Sequence, residues 1–204
     1  MNNSHYFVND NSLASKPRLV HYEINDVKFD LESDVGVFSK NELDQGSELL
    51  IKTLIPLDLG NRLLDIGCGI GPIGLTLAYF TPSLNVTCSD INTRALTLCE
   101  KNANKLKLSP RVTCLQSDIY NKIEGLYDSI VSNPPIRAGK KVTYAIYTGA
   151  KSHLIDGGSL YIVVRKAQGA LSVKAFLLET FGNVEVLNRS KGYYILKAIK
   201  SELK

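Results

Sequence analysis

The sequence predicts an α/β sandwich built around a mostly parallel, seven-stranded sheet. From residue 62 onward, short apolar runs alternate with segments of helical periodicity, which is the pattern of consecutive β/α units. The last two apolar runs, 184–187 and 193–198, are joined by only five residues. Because a parallel crossover needs roughly a dozen residues or more, these two strands must form an antiparallel hairpin. A second hairpin is expected ahead of the sheet.

That second hairpin forms an N-terminal extension. Residues 18–24 and 27–31 partly alternate between apolar and polar side chains, and the Asn-Asp pair between them suits a tight turn. We assign residues 1–36 to this β-hairpin extension and residues 37–204 to the main domain.

A helix ending near Pro56 follows the hairpin, because apolar residues recur there at helical spacing. The later strands and helices are predicted from the same periodicities. The strands of the β/α units are expected at residues 63–66, 85–90, 111–115, 127–132 and 159–164. The helices of these units are expected at residues 72–78, 93–105, 144–154 and 171–180.

Composition indicates a globular chain without a membrane span. Hydrophobic residues make up 44% of the sequence and charged residues 22%, near the averages of globular domains. No apolar run approaches the roughly 18 residues that a span needs, and the first residues lack the basic and apolar segments of an export signal. We therefore expect a cytoplasmic protein with no membrane contact. The net charge of +4 permits a nucleic-acid partner.

The four cysteines are not expected to bind a metal. Cys68, Cys88, Cys99 and Cys114 show no Cys-x-x-Cys spacing, and the three histidines lie far from them in the sequence. A zinc site ordinarily shows tighter clustering together with histidine. The pattern is typical of buried thiols that pack as small apolar groups.

A glycine-rich turn follows the predicted strand at residues 63–66 and indicates a nucleotide-like ligand. Glycines let the backbone approach a ligand closely, and the helix that follows supplies free N–H groups at its N-terminus. The run Gly69-x-Gly71-x-x-Gly74 also matches the dinucleotide fingerprint, so the turn leaves the ligand's identity open. Asp90 ends the next strand, where a carboxylate can accept both hydroxyls of a ribose in either kind of cofactor.

Polar residues lie at the carboxyl ends of four strands, at one edge of the predicted sheet. They are Asp65, Asp90, Asp118 and Asn133. Ligands of open α/β sheets lie beyond the carboxyl ends of the strands, so we expect these side chains to surround one site. The pair Pro134-Pro135 fixes an extended backbone and leaves the carbonyl group of Pro134 free to face a substrate.

The amide oxygen of Asn133 and the carbonyl of Pro134 together indicate an amine substrate. Two neighbouring acceptors suit the two hydrogens of a planar NH₂ group. Holding both hydrogens turns the nitrogen lone pair toward an electrophile, which orients the amine for in-line attack on a methyl sulfonium. No strong base is needed if the proton leaves after methyl transfer.

These motifs resemble a known family. Asp65-x-Gly67-x-Gly69-x-Gly71, Asp90, Asp118 and Asn133-Pro134-Pro135 are similar to the class I S-adenosylmethionine methyltransferases that modify exocyclic amines. Gly36-Val37-Phe38-Ser39, Leu43-Asp44-x-Gly46-Ser47 and residues 133–140 resemble, more narrowly, the small-domain methyltransferases that include the RsmC enzymes. The likeness extends over almost the whole chain. It implies a Rossmann-like class I fold and S-adenosylmethionine as cofactor.

The resemblance also assigns roles to matched residues. Those implied in cofactor binding are Asp65, Gly67, Cys68, Gly69 and Gly71 at the methionine end, Asp90 at the ribose, Ile91 at the adenine face, and Asp118 with Ile119 at the adenine amine. Those implied in catalysis are Asn133, Pro134 and Pro135, which would receive the target amine. The helix that begins near Asp44 would close over the methionine.

The implied substrate is guanine N2 of small-subunit (16S) ribosomal RNA, with ribosomal RNA or the small ribosomal subunit as partner. A stacked guanine is out of reach, so the base must be unpaired or flipped. The residues expected at the substrate are Phe38, Ile136, Arg137, Lys140 and Lys141. Further candidates for phosphate contacts are Arg165, Lys166, Arg189 and Lys191. Ile136 stands where many amine methyltransferases carry a stacking ring, and Phe38 or Tyr144 are alternatives for that contact.

Other interpretations stay open at this point. The same two acceptors would serve adenine N6 or a protein glutamine amide. An oxidoreductase would account for Gly69-x-Gly71-x-x-Gly74 and Asp90, but it leaves Asp118 and Asn133 unexplained. An RNA-binding assembly factor that retains the cofactor but catalyses little would carry the same sequence. The oligomeric state and the modified nucleotide are not predicted.

Overall fold

The computed structural model describes residues 15–37, 42–134 and 139–201. The strands are β1 (Arg18–Ile24), β2 (Val27–Ser33), β3 (Arg62–Ile66), β4 (Asn85–Asp90), β5 (Val112–Gln116), β6 (Tyr127–Ser132), β7 (Leu154–Arg165), β8 (Glu185–Ser190) and β9 (Tyr193–Ile199). The helices are α1 (Gln45–Leu54), α2 (Pro72–Phe80), α3 (Thr93–Lys105), α4 (Gly139–His153) and α5 (Ala170–Phe181), with a short 3₁₀ helix at Lys166–Gln168. Of the helices in these described segments, none is both long and apolar enough to cross a membrane.

Within the described residues, seven strands form one sheet in the order β5-β4-β3-β6-β7-β9-β8. Strands β3 to β7 pair in parallel, and β9 lies antiparallel between β7 and β8. The arrangement confirms the predicted mostly parallel sheet with an antiparallel C-terminal hairpin. The strand order reverses between β3 and β6, and in such sheets the carboxyl ends at the reversal open the crevice that receives a ligand.

Side chains of the central strands alternate between two apolar cores. Leu63 and Val131 belong to the core formed with α1, α2 and α3, whereas Leu64 belongs to the core formed with α4 and α5. Successive side chains of a strand point to opposite faces. Asp65, two residues after Leu63, and Asn133, two residues after Val131, are therefore directed toward the face that α1 and α2 cover.

The β1–β2 hairpin packs against α3 and confirms the predicted N-terminal element. Val20 and Leu31 are buried together with Leu98. The Asn102 side chain binds both backbone groups of Glu32, accepting at 2.7 Å and donating at 3.1 Å. Because an isolated two-stranded hairpin is marginally stable, this packing against a helix is what holds it in place. The division of the chain into two domains stays a prediction.

Candidate active site

The glycine-rich turn joins β3 to α2 and is fastened to β4. The N–H groups of Gly67 and Cys68 donate to the carbonyl of Ser89 at 2.8 and 3.0 Å. Gly71 has a φ of +90°, and a Cβ atom there would lie 2.6 Å from the Cys99 sulfur. The turn therefore requires glycine at this position both for its backbone angle and for its close packing.

Asp65 lies fully buried beneath this turn. Its Oδ2 atom accepts a hydrogen bond from the Gly74 N–H at 2.9 Å. Its Oδ1 atom is also buried and has no hydrogen-bond partner among the residues that the structure describes. Burial raises the pKa of this carboxyl group to about 8, since a charge is disfavoured away from water. A ligand ammonium group would satisfy the orphaned oxygen and compensate the buried charge.

Asp90 ends β4 beside the same turn. Its Oδ2 accepts from the Gly69 N–H and its Oδ1 from the Asn92 N–H, both at 2.9 Å. Burial raises the pKa of this carboxyl group too. Each oxygen keeps a further lone pair, so the carboxylate can still accept hydrogen bonds from the hydroxyls of a ribose.

Three residues predicted to bind adenine lie at the ends of neighbouring strands. Strands β4 and β5 pair in parallel to their carboxyl ends. Ile91, directly after β4, is 38% exposed although it is apolar. Asp118 is exposed and Ile119 is half-buried just after β5. The structure thus brings an exposed apolar side chain and a carboxylate to the edge that also carries the glycine turn.

Asn133 follows β6 and makes its hydrogen bonds to the N-cap and first turn of α1. Its Nδ2 atom lies 3.2 and 3.1 Å from the two carboxylate oxygens of Asp44 and 2.9 Å from the hydroxyl oxygen of Ser47. Asn133 is half-buried and Pro134 is buried. The register pairs Asp65 with Val131 on the adjacent strand, so the Asn133 side chain lies on the same face as Asp65, about two residues beyond it.

Asp44 is the N-cap of α1. Its Oδ1 accepts from the N–H groups of Gly46 and Ser47 at 3.0 and 3.1 Å, and its Oδ2 accepts from the Ser47 hydroxyl at 2.5 Å. The sequence places Asp44 in a family motif and at the start of a helix, and it assigns no partner to the side chain. Its contact with Asn133 spans 89 positions, and no local pattern predicts a contact of that separation.

Some predicted site residues are outside the part of the chain that the structure describes. They are Pro135, assigned to catalysis, and Phe38, Ile136 and Arg137, assigned to the substrate. Lys140 and Lys141 are described, and both are exposed in the first turn of α4. The ring of Tyr144 packs against Phe176, with 4.4 Å between the ring centroids.

Positive charges lie at the carboxyl end of β7. The guanidinium of Arg165 is 5.5 Å from the centre of the Tyr193 ring. Lys166 donates from its backbone N–H to the carbonyl of Gly192 at 2.7 Å, which brings the β8–β9 turn to this edge. Tyr193 also touches α1, since a Cβ atom on Gly46 would lie 2.9 Å from its ring.

The structure gathers cysteines that are far apart in sequence. The sulfur atoms of Cys68, Cys88 and Cys99 lie within 4.8 Å of one another, and all three residues are buried. Buried packing was predicted for them, but their proximity was not. Three neighbouring thiols are donors that suit a soft metal ion, and thiols packed beneath the glycine turn account for the cluster equally well. The expected absence of a metal therefore stays a prediction.

A family model described as methyltransferase small domain matches residues 28–197. YbxB of Bacillus subtilis, described as an uncharacterized protein, is 40% identical over 198 residues, which are 96% of this chain and 98% of that protein. The ribosomal RNA small subunit methyltransferase C of Erwinia tasmaniensis is 37% identical over 170 residues, which are 81% of this chain and 48% of the relative. The chain thus spans about half the length of the second relative.

A solved structure shows the same architecture. The T. thermophilus 16S rRNA N2 G1207 methyltransferase (RsmC), in complex with AdoMet and guanosine, is similar to the chain with a TM-score of 0.80 and 27% sequence identity. The match covers 92% of this chain and 52% of that chain. The Rossmann-like sandwich predicted from the motifs is confirmed by this likeness.

Proposed function

The chain belongs to the methyltransferase small domain family, and from this premise we propose that it transfers a methyl group to N2 of a guanine in 16S ribosomal RNA. The cofactor is S-adenosylmethionine, which supplies an electrophilic methyl group when bound. The structural observation that supports methyl transfer to an amine is the placement of Asp65 and Asn133 on one face of two adjacent strands. An anchor for a cation and an acceptor for an amine are therefore neighbours.

The residues of the glycine turn and the two strand ends beside it fit the parts of this cofactor. Asp65 would pair its orphaned oxygen with the methionine ammonium. Asp90 would accept the ribose hydroxyls with its free lone pairs, next to the turn that it already fastens. Ile91 offers an exposed apolar face for the adenine, and Asp118 would accept a hydrogen bond from the adenine amine, with Ile119 beside it.

Asn133 and Pro134 would hold the target amine. The amide oxygen of Asn133 and the main-chain carbonyl of Pro134 accept the two hydrogens of the NH₂ group. Holding both hydrogens weakens the conjugation of the nitrogen lone pair with the ring and directs that pair toward the cofactor side of the site. Orientation of this kind supplies much of a transfer rate. The surplus proton leaves from the nitrogen after the transfer, so no side-chain base is required.

An RNA substrate is supported by the charges and rings at the same edge. Lys140 and Lys141 are exposed beside the segment that follows Pro134. Arg165 and Tyr193 form a cation–ring pair beside the start of α1. Aromatic faces stack on unpaired bases and cations bind phosphates, so this edge suits a flipped nucleotide. Phe38, Ile136 and Arg137 stay predicted contacts of that nucleotide.

The choice of guanine N2 rests on similarity to named proteins. The matched T. thermophilus structure is of a 16S rRNA N2 G1207 methyltransferase and contains guanosine. The Erwinia relative is likewise a ribosomal RNA small subunit methyltransferase. The partner of this chain is therefore proposed to be ribosomal RNA or the small ribosomal subunit.

Mass mapping of ribosomal RNA tests the proposal. We expect 16S RNA from cells lacking the protein to lose one N2-methylguanosine, and we expect the wild-type gene, but not the Asn133→Ala variant, to restore it. Loss of an N6-methyladenosine instead would replace guanine by adenine as the target. Ribosomal RNA with an unchanged set of methyl groups would refute a ribosomal RNA substrate.

A further inference from the structure

We propose that Asp44 is a positioning residue, which orients the Asn133 amide so that its Oδ1 oxygen faces the target amine. The inference rests on the proposed function, because it assigns an orientation to the group that receives the substrate there. It adds that the site presents only hydrogen-bond acceptors at the position of the target amine. A substrate NH₂ group is then accepted, and a carbonyl oxygen in the same place is rejected.

The partners of Asn133 determine which end of its amide points to α1. An amide carries two N–H donors on nitrogen and only acceptor capacity on oxygen, whereas carboxylate oxygens only accept. The two oxygens of Asp44 lie 3.2 and 3.1 Å from Nδ2. Reversing the amide would set Oδ1 against these oxygens, with no hydrogen between them. Nδ2 must therefore face Asp44, and Oδ1 must face away from it.

Both donors of the Asn133 amide have partners in the N-cap and first turn of α1. Besides Asp44, the hydroxyl oxygen of Ser47 lies 2.9 Å from Nδ2. Among the residues that the structure describes, every hydrogen bond of this side chain runs through Nδ2. What remains for a substrate is the acceptor Oδ1, beside the carbonyl of Pro134.

Asp44 is itself held firmly. As N-cap it accepts from two backbone N–H groups and from the Ser47 hydroxyl, and such caps are strongly preferred at helix starts. Helix α1 is anchored in turn, because Leu50, Ile51 and Leu54 are completely buried. The orientation of Asn133 is thereby coupled to the core rather than to a mobile surface group.

An exchange of the two side chains gives a sharp test. In Asp44→Asn, the new amide keeps the cap by accepting through Oδ1, so its Nδ2 takes the place of the oxygen that lies 3.1 Å from the Asn133 Nδ2. Two donors then face each other, which favours a turned Asn133 amide. The substrate then meets a donor, and kcat should fall about 100-fold, as when one oriented group of an active site is lost. In Asn133→Asp, two carboxylates meet and kcat should fall at least as far. In the double exchange, the new amide at position 44 donates to the new carboxylate at position 133, and the second oxygen of that carboxylate accepts the amine.

We expect the double exchange, Asp44→Asn with Asn133→Asp, to methylate RNA at least tenfold faster than either single variant, with the dissociation constant for S-adenosylmethionine within about threefold of wild type in all three. A structural role alone would not produce this recovery. The matched control is Glu48→Gln, which removes a charge from the same first turn of α1. Glu48 is paired with Lys52 at 2.6 Å and is expected to be dispensable for the rate.

Thermal unfolding against pH checks the pairing without any activity. Asn133→Asp should lose stability as the pH rises from 4 to 7, because its two carboxylates must then both ionise, and the double exchange should abolish this loss. A double exchange no faster than Asn133→Asp, or an Asp44→Asn protein with the wild-type kcat, would overturn the positioning role. A wild-type protein that methylates no RNA would instead refute the proposed function, before any variant is compared.

Discussion

The affinity for S-adenosylmethionine should rise about tenfold between pH 6 and pH 7, because one proton must leave Asp65 before the cofactor's ammonium can pair with it. The pKa of the Asp65 carboxyl group is about 8 instead of the usual 3.8. Burial is the largest cause, the hydrogen bond from the Gly74 N–H opposes it, and the negative charge of Asp90 raises the pKa further.

The size of the effect follows from this pKa. With a pKa of about 8, roughly 99% of free protein at pH 6 holds Asp65 protonated. Pairing with an ammonium favours the ionised form, so binding releases close to one proton in this range. Near pH 8 the affinity should stop rising, because the α-amino group of the cofactor then loses its own proton, with a pKa of about 7.7–8.0.

Isothermal titration calorimetry at pH 6, 6.5 and 7, in buffers of different ionisation enthalpy, measures the affinity and the released proton together. The control ligand is the nucleoside part of the cofactor without its methionine, which depends on Asp90 but not on Asp65. The difference between the two pH profiles isolates the contribution of Asp65 to the affinity. Asp65→Asn should weaken the binding of the full cofactor and remove this difference.

The raised pKa of Asp65 also predicts that the stability of the fold decreases with rising pH, whereas the affinity for the cofactor increases. The folded-state pKa of about 8 exceeds the unfolded value near 3.8, so the contribution of Asp65 to stability is complete below pH 3.8 and is lost as the pH rises through about 8. Asp65→Asn should therefore melt at a higher temperature than wild type at pH 9, with a smaller gap at pH 5. An affinity for S-adenosylmethionine that is flat from pH 6 to 7, or full affinity in Asp65→Asn, would refute the ammonium assignment.

Three further substitutions test other parts of the site. Asp90→Ala should weaken cofactor binding about 10- to 100-fold, which is the range for lost hydrogen bonds to a charged group. The rate at saturating cofactor should stay near wild type. A lowered rate at saturation with intact binding would contradict this role. Replacing Lys140 and Lys141 with alanine should lower the salt slope of RNA binding by between about 1 and 2, whereas arginine at both positions should preserve it; an unchanged slope in the alanine variant would exclude both from the interface. Gly71→Ala should lower the free energy of unfolding in urea by about 3 kcal/mol, because left-handed strain and overpacking add together. The control Gly157→Ala should lower it by about 1 kcal/mol, because φ is also positive there but nothing lies within 4 Å. Equal losses in the two variants would refute the packing argument.

The sheet and its order of elements were predictable because periodicity and loop length are local properties. Strands β4 and β6 and helix α3 begin and end at the predicted residues. Strand β7 begins at Leu154 instead of residue 159 because Gly157 and Gly158, which are typical of a turn, pair through their main chains with Lys200. Helix α4 begins at Gly139, ahead of the first apolar residue that marks its periodicity.

The contacts that define the site were only partly predictable. That polar residues at strand ends converge follows from the topology of a parallel sheet, and Asp65, Asp90 and Asn133 do lie at that edge. The orphaned oxygen of Asp65 and the contact between Asp44 and Asn133 depend on how α1 and α2 pack against the sheet. Such packing between distant segments leaves no periodic signal in the sequence, and the cluster of buried cysteines was missed for the same reason.

The central claim is that Asn133 serves the amine and Asp65 the cofactor. Single-turnover methyl transfer to 16S ribosomal RNA, with the product nucleoside identified by mass spectrometry, tests it most directly when wild type and Asn133→Ala are compared. We predict N2-methylguanosine from wild type, and for Asn133→Ala a rate at least about 100-fold lower with cofactor affinity within about threefold of wild type. A variant that keeps the wild-type rate, or that loses cofactor affinity in proportion to its rate, would contradict the claim.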